Sequence, residues 1–433
     1  MNQTYTRTFL FLQGPHGPFF DRVGAQLRQA GARTLRVGFN RGDAAFWSDR
    51  DSYRAYTGTP DGWPGWCAAL MADAGVSDLV VYGDTRPIHA AAIALARSRS
   101  ITVHVFEEGY LRPYWVTYER DGANGHSRLM NLSVAQMQAA LPASDHAHTA
   151  APATWGALRQ HVFYGALYHF HVLARNRAYA HFRPHRALSV RQEFRLYLRQ
   201  LLLMPARRLS RIIATRRIRR GGYPYHLVLL QLAHDTSFLD HSPFRDMSEF
   251  IDLCISAFAR GAPGHHHLVF KSHPLEDGRF PLAREIRRQA AQHGVADRVH
   301  LVSGGKLARL LDEAQSAVTV NSTAGQQVLW RGLPLKAFGS AVYAKPEFVS
   351  PQPLESFFAT PWPPDRQAYF DFRHFLFETS QVPGSFYSRR GRQQLLRRIA
   401  DLMLAKQDPY DALLCPDAAP GQQPVLLRNA PTR

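Results

Sequence analysis

Short apolar runs alternate with amphipathic segments of helical length in two stretches of the chain. The first stretch extends from Thr8 to Ser144 and contains the apolar runs FLFLQ, TLRVGF, DLVVYG and ITVHVF. Brief apolar runs separated by helical segments are typical of buried parallel strands joined by crossover helices. The pattern predicts a Rossmann-like domain over residues 1–150.

The same pattern begins again after Gly222, with the apolar runs HLVLLQL, HLVFKSHP, VHLVSG, AVTVNST and LPLKAFG. It predicts a second Rossmann-like domain over residues 222–345. Two such domains predict an α/β fold in which strand ends from both halves face one cleft. Because ligands of such sheets bind outside the carboxyl ends of the strands, we expect the functional residues there.

Arginine is concentrated between the two predicted domains, in an insertion over residues 151–221. The 433-residue chain has a formal net charge of +18, and residues 175–220 hold fourteen arginines and one acid, Glu193. Apolar residues recur among these arginines at mostly helical spacing: Phe194, Leu198, Leu201, Leu202, Leu209, Ile212 and Ile213. A basic amphipathic helix favours contact with an anionic membrane surface. A charged face packed on the protein and a nucleic-acid surface are the alternatives, and we expect no nucleic-acid partner because no recognised module appears.

The C-terminal part is aromatic-rich over residues 346–407 and includes an amphipathic helix near Arg390–Leu404. The Pro-rich residues 408–433 are expected to form a mobile tail.

No apolar stretch reaches the ~18 residues of a membrane span, and the first residues do not resemble a secretory signal, so we expect only peripheral membrane contact. Three cysteines stand far apart without zinc-type spacing: Cys67, Cys254 and Cys415. These features favour a protein of the cytoplasm.

Two adjacent carboxylates, Glu107 and Glu108, follow the strand ITVHVF within the motif FEEGYLRP. Successive strand residues point to opposite faces, so one carboxylate faces the cleft and the other faces the scaffold. Gly109 permits a sharp turn after them. Glu108 is the candidate general acid or base; the alternative is a structural salt bridge to Arg86 or Arg112.

Two further motifs predict a site for a nucleotide phosphate. Lys271 supplies a compact charge and His273 a donor, and Pro274 fixes the backbone as the chain leaves the strand. Ser322 and Thr323 stand before a predicted helix, where their hydroxyls and the backbone N–H groups can hold an anion. The alternatives are a surface His-Pro turn and ordinary helix capping.

Two loops after first strands complete the candidate set. Gln231, a candidate donor-binding residue, follows the first strand of the second half. Asp235 after it is either a nucleophile or positioning base or part of an Asx-type turn. Gln13 and His16 lie in the loop QGPHGP, whose glycines permit close approach of a ligand. The run His265–His267 is not expected to bind metal.

These motifs together resemble a known family. The strings QGPHGPFF, YGDTRPIH, FEEGYLRPYWVTYE, KSHP and TVNSTAGQQVLWRG are similar to capsule polysaccharide proteins of the KpsS/LipB type over about residues 9–345. The order of an EEG, an HP and an ST motif also resembles bacterial transferases that use CMP-activated acidic sugars. The resemblance implies a GT-B fold and transfer of Kdo (3-deoxy-manno-octulosonic acid) from CMP-β-Kdo to a lysophosphatidylglycerol. That step, at the cytoplasmic face of the inner membrane, starts the poly-Kdo linker of a capsule.

The resemblance also implies roles for the candidate residues. Glu108 would handle the proton of the acceptor hydroxyl, and Lys271 with His273 would contact the CMP phosphate. Ser322 and Thr323 would hold the same phosphate.

A retaining mechanism, as implied for related β-Kdo transferases, makes Asp235 the candidate nucleophile. We expect metal independence, because a single phosphate is already faced by lysine, histidine and a helix end. The implied partners are CMP-Kdo, an anionic lysophospholipid, the inner-membrane surface and other capsule biosynthesis and export proteins. Another CMP-sugar transferase, such as a sialyltransferase, and a non-catalytic lipid-binding capsule-assembly protein are the alternatives.

Overall fold

Two Rossmann-like α/β units make up the structure, which confirms the predicted fold class. The computed structural model describes residues 7–111, 114–141, 158–182, 209–233, 242–273, 278–303 and 306–414, with positions 192, 206, 238 and 276. Unit 1 comprises Met1–Arg128, Ala139–Leu188 and His374–Arg433, and unit 2 comprises Leu129–Gln138 and Ser189–Arg373.

Unit 1 contains a seven-stranded sheet in the order β12-β6-β5-β4-β1-β2-β3. Its strands, numbered along the chain, are β1 (Thr8–Phe11), β2 (Arg33–Gly38), β3 (Tyr53–Ala55), β4 (Asp78–Tyr82), β5 (Thr102–Glu108), β6 (Trp115–Arg120) and β12 (Gln381–Pro383). The pairs among β1 to β5 are parallel, whereas β6 runs antiparallel to β5 and β12 to β6. The helices of this unit are α1 (Phe19–Gln29), α2 (Arg41–Ala45), α3 (Trp63–Asp73), α4 (Pro87–Arg97), α6 (Leu158–Arg175), α14 (Arg389–Leu404) and α15 (Pro409–Leu414).

Both faces of this sheet are covered, which explains why its inner strands β1 and β4 are largely apolar. In β1, Phe9 and Phe11 pack into one hydrophobic cluster, and Leu10 packs into the cluster on the opposite face. Because side chains alternate along a strand, a continuous apolar run fills two cores at once.

Unit 2 contains a five-stranded, fully parallel sheet in the order β11-β10-β7-β8-β9. Its strands are β7 (Tyr225–Leu229), β8 (His267–Ser272), β9 (Val299–Ser303), β10 (Ser316–Thr319) and β11 (Leu335–Ala337). Its helices are α7 (209–220), α8 (Met247–Gly261), α9 (Leu282–Gln292), α10 (Ala308–Leu311), α11 (Gly325–Trp330) and α12 (Leu354–Ala359). Two helices, α5 (Val134–Ala140) and α13 (Arg366–Thr379), each span a boundary between the units along the chain.

Histidines meet at the amino ends of the strands of unit 2. The buried ring of His226 lies 2.8 Å from Ser316 Oγ through Nδ1 and 3.0 Å from His266 Nδ1 through Nε2. His267 Nδ1 lies 2.9 Å from His300 Nε2. Burial, followed by the charge of His266, lowers the pKa of His226 to about 3. These rings are therefore neutral at pH 7, when an N–H of one ring can donate to a nitrogen of the next.

The units correct the predicted domain boundaries in the middle of the chain. The insertion predicted over 151–221 is not a separate body among the described residues, because α6 belongs to unit 1 and α7 to unit 2. Tyr168 of α6 accepts a hydrogen bond from Asn40 at 2.7 Å, which attaches α6 to unit 1. In α7, Ile218 is buried and Arg219 pairs with Glu313, within unit 2. Most of the predicted basic helix, including Phe194 and the leucines at 198, 201 and 202, lies outside the described residues.

The C-terminal predictions also need correction. The segment predicted over 346–407 is divided after Arg373, because β12 completes the sheet of unit 1 and α14 packs on that unit. The predicted mobile tail over 408–433 begins with a helix, α15, whose Tyr410 is buried and donates a hydrogen bond to Glu119 at 2.9 Å. The remaining tail residues lie outside the described part. No helix in the described ranges combines the length and apolar character that a membrane span requires.

Candidate active site

A tight hairpin between β5 and β6 holds the two adjacent glutamates. Glu108 is the last residue of β5 and pairs with Val116 of β6. The N–H of Gly109 donates to the carbonyl of Trp115 at 3.1 Å, and a Cβ on Gly109 would lie 2.3 Å from that oxygen. A side chain at position 109 would force the strands apart. The glycine of the motif is therefore required by close backbone approach.

Aromatic side chains from three parts of the chain surround Glu108. The hydroxyl of Tyr82, at the end of β4, donates to Glu108 Oε1 at 3.3 Å. The Tyr387 hydroxyl lies 3.4 Å from that of Tyr82, and the ring of His161 packs on the Tyr387 ring at 3.9 Å. Glu108 itself is half-buried. A substrate hydroxyl can therefore reach this carboxylate while the phenol of Tyr82 orients it.

The structure separates Glu107 from Glu108 and does not support the predicted salt bridge to Arg86. Glu107 Oε1 accepts a hydrogen bond from the N–H of Glu108 at 3.0 Å, so the Glu107 side chain folds back onto the scaffold. The Arg86 guanidinium lies over the Tyr82 ring, 5.5 Å from its centroid, and no ion pair between described residues joins it to Glu108. Arg112, the other predicted partner, lies outside the described residues.

The aromatic neighbours of Glu108 have shifted ionisation. Burial is the main cause that raises the pKa of Tyr82 well above its usual range, and the charges of Tyr387 and Glu108 add to it. Tyr82 thus remains a phenol that can donate. Burial lowers the pKa of His161, although the charge of Glu108 opposes this shift. Burial thus favours the neutral form of the His161 imidazole beside this cluster.

In unit 2, an amide pair joins the ends of two neighbouring strands. Gln231 Nε2 donates to Asn321 Oδ1 at 2.7 Å, and the N–H of Asn321 donates to Gln231 Oε1 at 3.3 Å. The two residues follow β7 and β10, which are adjacent in the sheet. Gln231 is therefore a scaffold for the strand ends, and its predicted contact with the donor stays a prediction.

Lys271 lies at the carboxyl end of β8, beside the strand that leads to Gln231. It is 5% exposed, and its Nζ donates to the carbonyl of Ser272 at 3.0 Å. Burial, followed by repulsion from Arg211 of α7, lowers its pKa to about 8. Burial destabilises the charged form of this lysine, so an anion that binds next to the ammonium stabilises that form strongly. This position suits a phosphate ligand.

The residues before α11 form a turn instead of the expected helix cap. Ser322 Oγ accepts from the N–H of Ala324 at 3.2 Å, and the Ser322 carbonyl accepts from the Tyr343 hydroxyl at 2.6 Å. The N-cap position belongs to Ala324, so Ser322 and Thr323 precede it, and their predicted contact with a phosphate stays a prediction. His273 directly follows β8. Pro274 and Asp235 lie outside the described residues, and their predicted roles stay predictions.

Gln13 and His16 lie at another place in unit 1, next to α2 and α6. Gln13 Nε2 donates to Asp43 Oδ2 at 2.9 Å, and the His16 ring stacks on Tyr168 at 4.3 Å. Neither residue touches the Glu108 cluster in the described contacts. Throughout the described ranges, no three His, Cys, Asp or Glu side chains stand close enough to hold a metal ion.

Comparison with known proteins identifies the family. The model of a family described as capsule polysaccharide biosynthesis protein matches residues 77–387, more than half of the chain. The chain belongs to this family. Glu108, Lys271 and Ser322 lie within the matched range. The predicted resemblance to KpsS/LipB-type proteins is thereby confirmed.

Individual capsule proteins align with most of the chain. It is 30% identical over 383 residues to the capsule polysaccharide export protein KpsS of Escherichia coli, covering 88% of this chain and 97% of that protein. The chain is 28% identical over 387 residues to the capsule polysaccharide modification protein LipB of Neisseria meningitidis serogroup B, covering 88% of this chain and 91% of that protein. Among solved structures, it is similar to Thermosulfurimonas dismutans KpsC, beta Kdo 2,7 transferase, with a TM-score of 0.41 and 14% identity over 92% of this chain and 99% of that chain.

Proposed function

We propose that this capsule polysaccharide biosynthesis protein is a glycosyltransferase that moves Kdo from CMP-β-Kdo to a lysophosphatidylglycerol. The product would carry the first residue of the poly-Kdo linker of a capsule. The observation that carries the proposal is the Glu108 cluster, a half-buried carboxylate with a phenol donor at a strand end of unit 1. Family membership places that cluster in a capsule biosynthesis protein.

In this reaction Glu108 accepts the proton of the acceptor hydroxyl. The Tyr82 hydroxyl holds Glu108 Oε1 in position, and Gly109 fixes the backbone that carries the carboxylate. A positioned general base contributes roughly 10²–10⁴-fold to a transfer rate. Half-burial of Glu108 allows the acceptor to approach while it limits competing water.

Unit 2 binds the donor in this proposal. The Lys271 ammonium and His273 face the phosphate of CMP, with Ser322 and Thr323 as further donors. As the bond from the anomeric carbon to the phosphate breaks, negative charge develops on CMP, and fixed donors stabilise it. We propose that Asp235 is the nucleophile of a retaining reaction and that the enzyme needs no metal ion.

The protein is proposed to act on the cytoplasmic face of the inner membrane as a peripheral protein. Two described helices support this location, because each exposes apolar side chains to solvent. On α6, Val162, Phe163, Phe170 and Leu173 are all about half exposed and fall on one side of the helix. On α7, Leu209, Ile212 and Ile213 are exposed next to arginines. Apolar side chains among arginines suit an anionic headgroup layer.

Mass spectrometry of a fluorescent lysophosphatidylglycerol tests the proposal. The purified protein is incubated with the lipid and with CMP-Kdo generated in situ, and a mass shift of one Kdo is expected. Glu108→Gln should abolish the shift, and Glu347→Gln, the same change at an exposed position, should preserve it. Equal activity of Glu108→Gln and wild type contradicts the role of Glu108.

Competing donors and acceptors separate the alternatives. Transfer from CMP-sialic acid in preference to CMP-Kdo indicates another CMP-sugar transferase. Lipid binding without transfer from either donor indicates a non-catalytic capsule-assembly protein. Loss of transfer on treatment with EDTA contradicts metal independence.

A further inference from the structure

A charged side chain of unit 1 lies buried with unmade hydrogen bonds. Arg36, in β2, is 4% exposed, and its Nη2 lies 3.7 Å from Asp43 Oδ1. Within the part of the chain that the structure describes, no group accepts a hydrogen bond from Nε or Nη1 of Arg36. A buried guanidinium N–H without an acceptor costs free energy. Two donors of Arg36 therefore need a partner.

Arg36 lines a pocket that glycines keep open. The pocket has a volume of about 10 Å³, and its lining includes Gly14, Gly17, Gly42 and Tyr168. A Cβ on Gly42 would lie 2.6 Å from the Tyr168 ring, and Gly17 has φ +117°, a conformation that other residues rarely adopt. A volume of this size admits one atom about as large as a water oxygen.

The carboxylate beside Arg36 already accepts three hydrogen bonds from other groups. Asp43 Oδ2 accepts from Gln13 Nε2 and from the N–H of Phe39, both at 2.9 Å. Asp43 Oδ1 accepts from the Tyr168 hydroxyl at 3.3 Å. Asn40 Nδ2 donates to the same hydroxyl oxygen at 2.7 Å, so the Tyr168 proton is directed at Asp43. Among the described residues, Nε and Nη1 of Arg36 therefore remain as spare donors at the pocket.

Aromatic contacts compensate part of the charge but not the missing hydrogen bonds. The Arg36 guanidinium lies 5.6 Å from the Phe20 ring centroid and 5.9 Å from that of Trp47. Such contacts stabilise a cation and accept no directed N–H bond at these distances. Burial lowers the pKa of Arg36, which shows that its charge is held at a cost. A negative oxygen would reduce that cost.

We propose that this pocket binds one oxygen of a phosphate or phosphodiester through Nε and Nη1 of Arg36. A neutral hydroxyl or water oxygen can accept from the same N–H groups, but only a phosphate oxygen also brings negative charge to the buried guanidinium. His16, stacked on Tyr168, stands beside the pocket. A lipid headgroup as the source of the phosphate rests on the proposed function, in which the acceptor lipid carries a phosphodiester. Free inorganic phosphate is the other source.

Calorimetric titration of the full chain without any sugar donor tests the pocket. The ligands are inorganic phosphate, glycerophosphoglycerol and glycerol. We expect both phosphates to bind wild type and glycerol not to bind. Arg36→Lys keeps the charge but cannot present two parallel N–H groups, so binding should weaken at least about tenfold. Arg22→Gln, on the exposed side of α1, is the matched control and should bind as wild type does.

A second variant should change the affinity for phosphate in the opposite direction. Asp43→Asn removes the negative charge beside the pocket and should tighten phosphate binding. Circular dichroism melts check that each variant is folded. Tighter binding of glycerophosphoglycerol than of phosphate assigns the pocket to a lipid headgroup, and equal binding assigns it to free phosphate.

Results that contradict phosphate binding at Arg36 differ from results that contradict the proposed transferase function. Glycerol binding as tight as phosphate binding, no phosphate binding by wild type, or unchanged affinity in folded Arg36→Lys each overturns the pocket. None of these titrations depends on Kdo transfer. Conversely, the mass-shift assay and its dependence on Glu108 remain valid if the pocket binds nothing.

Discussion

Donor binding should fail at alkaline pH because of one buried lysine. The pKa of Lys271 is about 8, since burial disfavours the ammonium and Arg211 repels it. Such a group is ~90% protonated at pH 7 and ~10% at pH 9. If only the ammonium holds the CMP phosphate, the affinity for donor falls about tenfold between these two values. An ordinary lysine, with a pKa near 10.4, would lose almost nothing over the same range.

Two substitutions move this alkaline limit in predictable directions. Lys271→Arg carries a charge that does not titrate below pH 12, so the loss between pH 7 and 9 should disappear. Arg211→Gln removes a repelling charge, so the limit should move to higher pH. The measurement is kcat/KM for CMP-Kdo from pH 6.5 to 9.5 at constant ionic strength, because this ratio reports the ionisation of the free enzyme. Calorimetric binding of CMP over the same range gives a second reading without catalysis.

Either of two results refutes the reasoning. Constant CMP affinity of wild type from pH 7 to 9 would show that the ammonium of Lys271 does not contact the phosphate. An alkaline loss that persists unchanged in Lys271→Arg would assign the titration to another group.

Three further outcomes are expected. The free energy of unfolding of unit 2 should fall by up to about 4–5 kcal/mol as the pH drops from 6.5 toward 3, because the pKa of His226 is about 3 in the fold and about 6.5 when unfolded. Hydrogen exchange of β7 measures this fall, and an equally steep fall in His226→Phe contradicts it. Phe163→Asp on α6 and Ile213→Asp on α7 should each reduce sedimentation with phosphatidylglycerol vesicles, and unchanged sedimentation of both excludes these helices from the membrane contact. Gly109→Ala should lower transferase activity more than tenfold by displacing Glu108, with wild-type rates as the contrary result.

The buried parallel strands could be predicted from the sequence because they fill two cores. The run DLVVYG and the strand β4 coincide, as do HLVF and β8. Strands at the sheet margin carry no such run. β3 and β12 have three residues each, and β6 alternates apolar with polar residues, so apolar runs did not reveal them. The hairpin that carries Glu108 was missed for this reason.

The candidate site could be predicted only where its residues adjoin a strand end. Glu108 and Lys271 directly follow apolar runs, which made them visible in the sequence. Tyr387 contacts Tyr82, and His161 contacts Tyr387, from distant parts of the chain, and no periodicity indicates such contacts. Arg36 stands inside a strand, where its charge looks like an exception to the pattern. Its buried, unsatisfied state becomes evident only from the packing of α2 and α6.

The discontinuity of unit 1 determines the order in which the protein can mature on the ribosome. Synthesis proceeds from the amino terminus, and domains generally fold as they emerge. Unit 1 receives β12 and α15 from residues 374–414, after the whole of unit 2 has been made. Until then β6 is an open sheet edge and Glu119 lacks the hydroxyl of Tyr410. A chain released after Arg373 would combine a complete second unit with an unfinished first one, and its bare edge is the kind of surface that chaperones protect from aggregation.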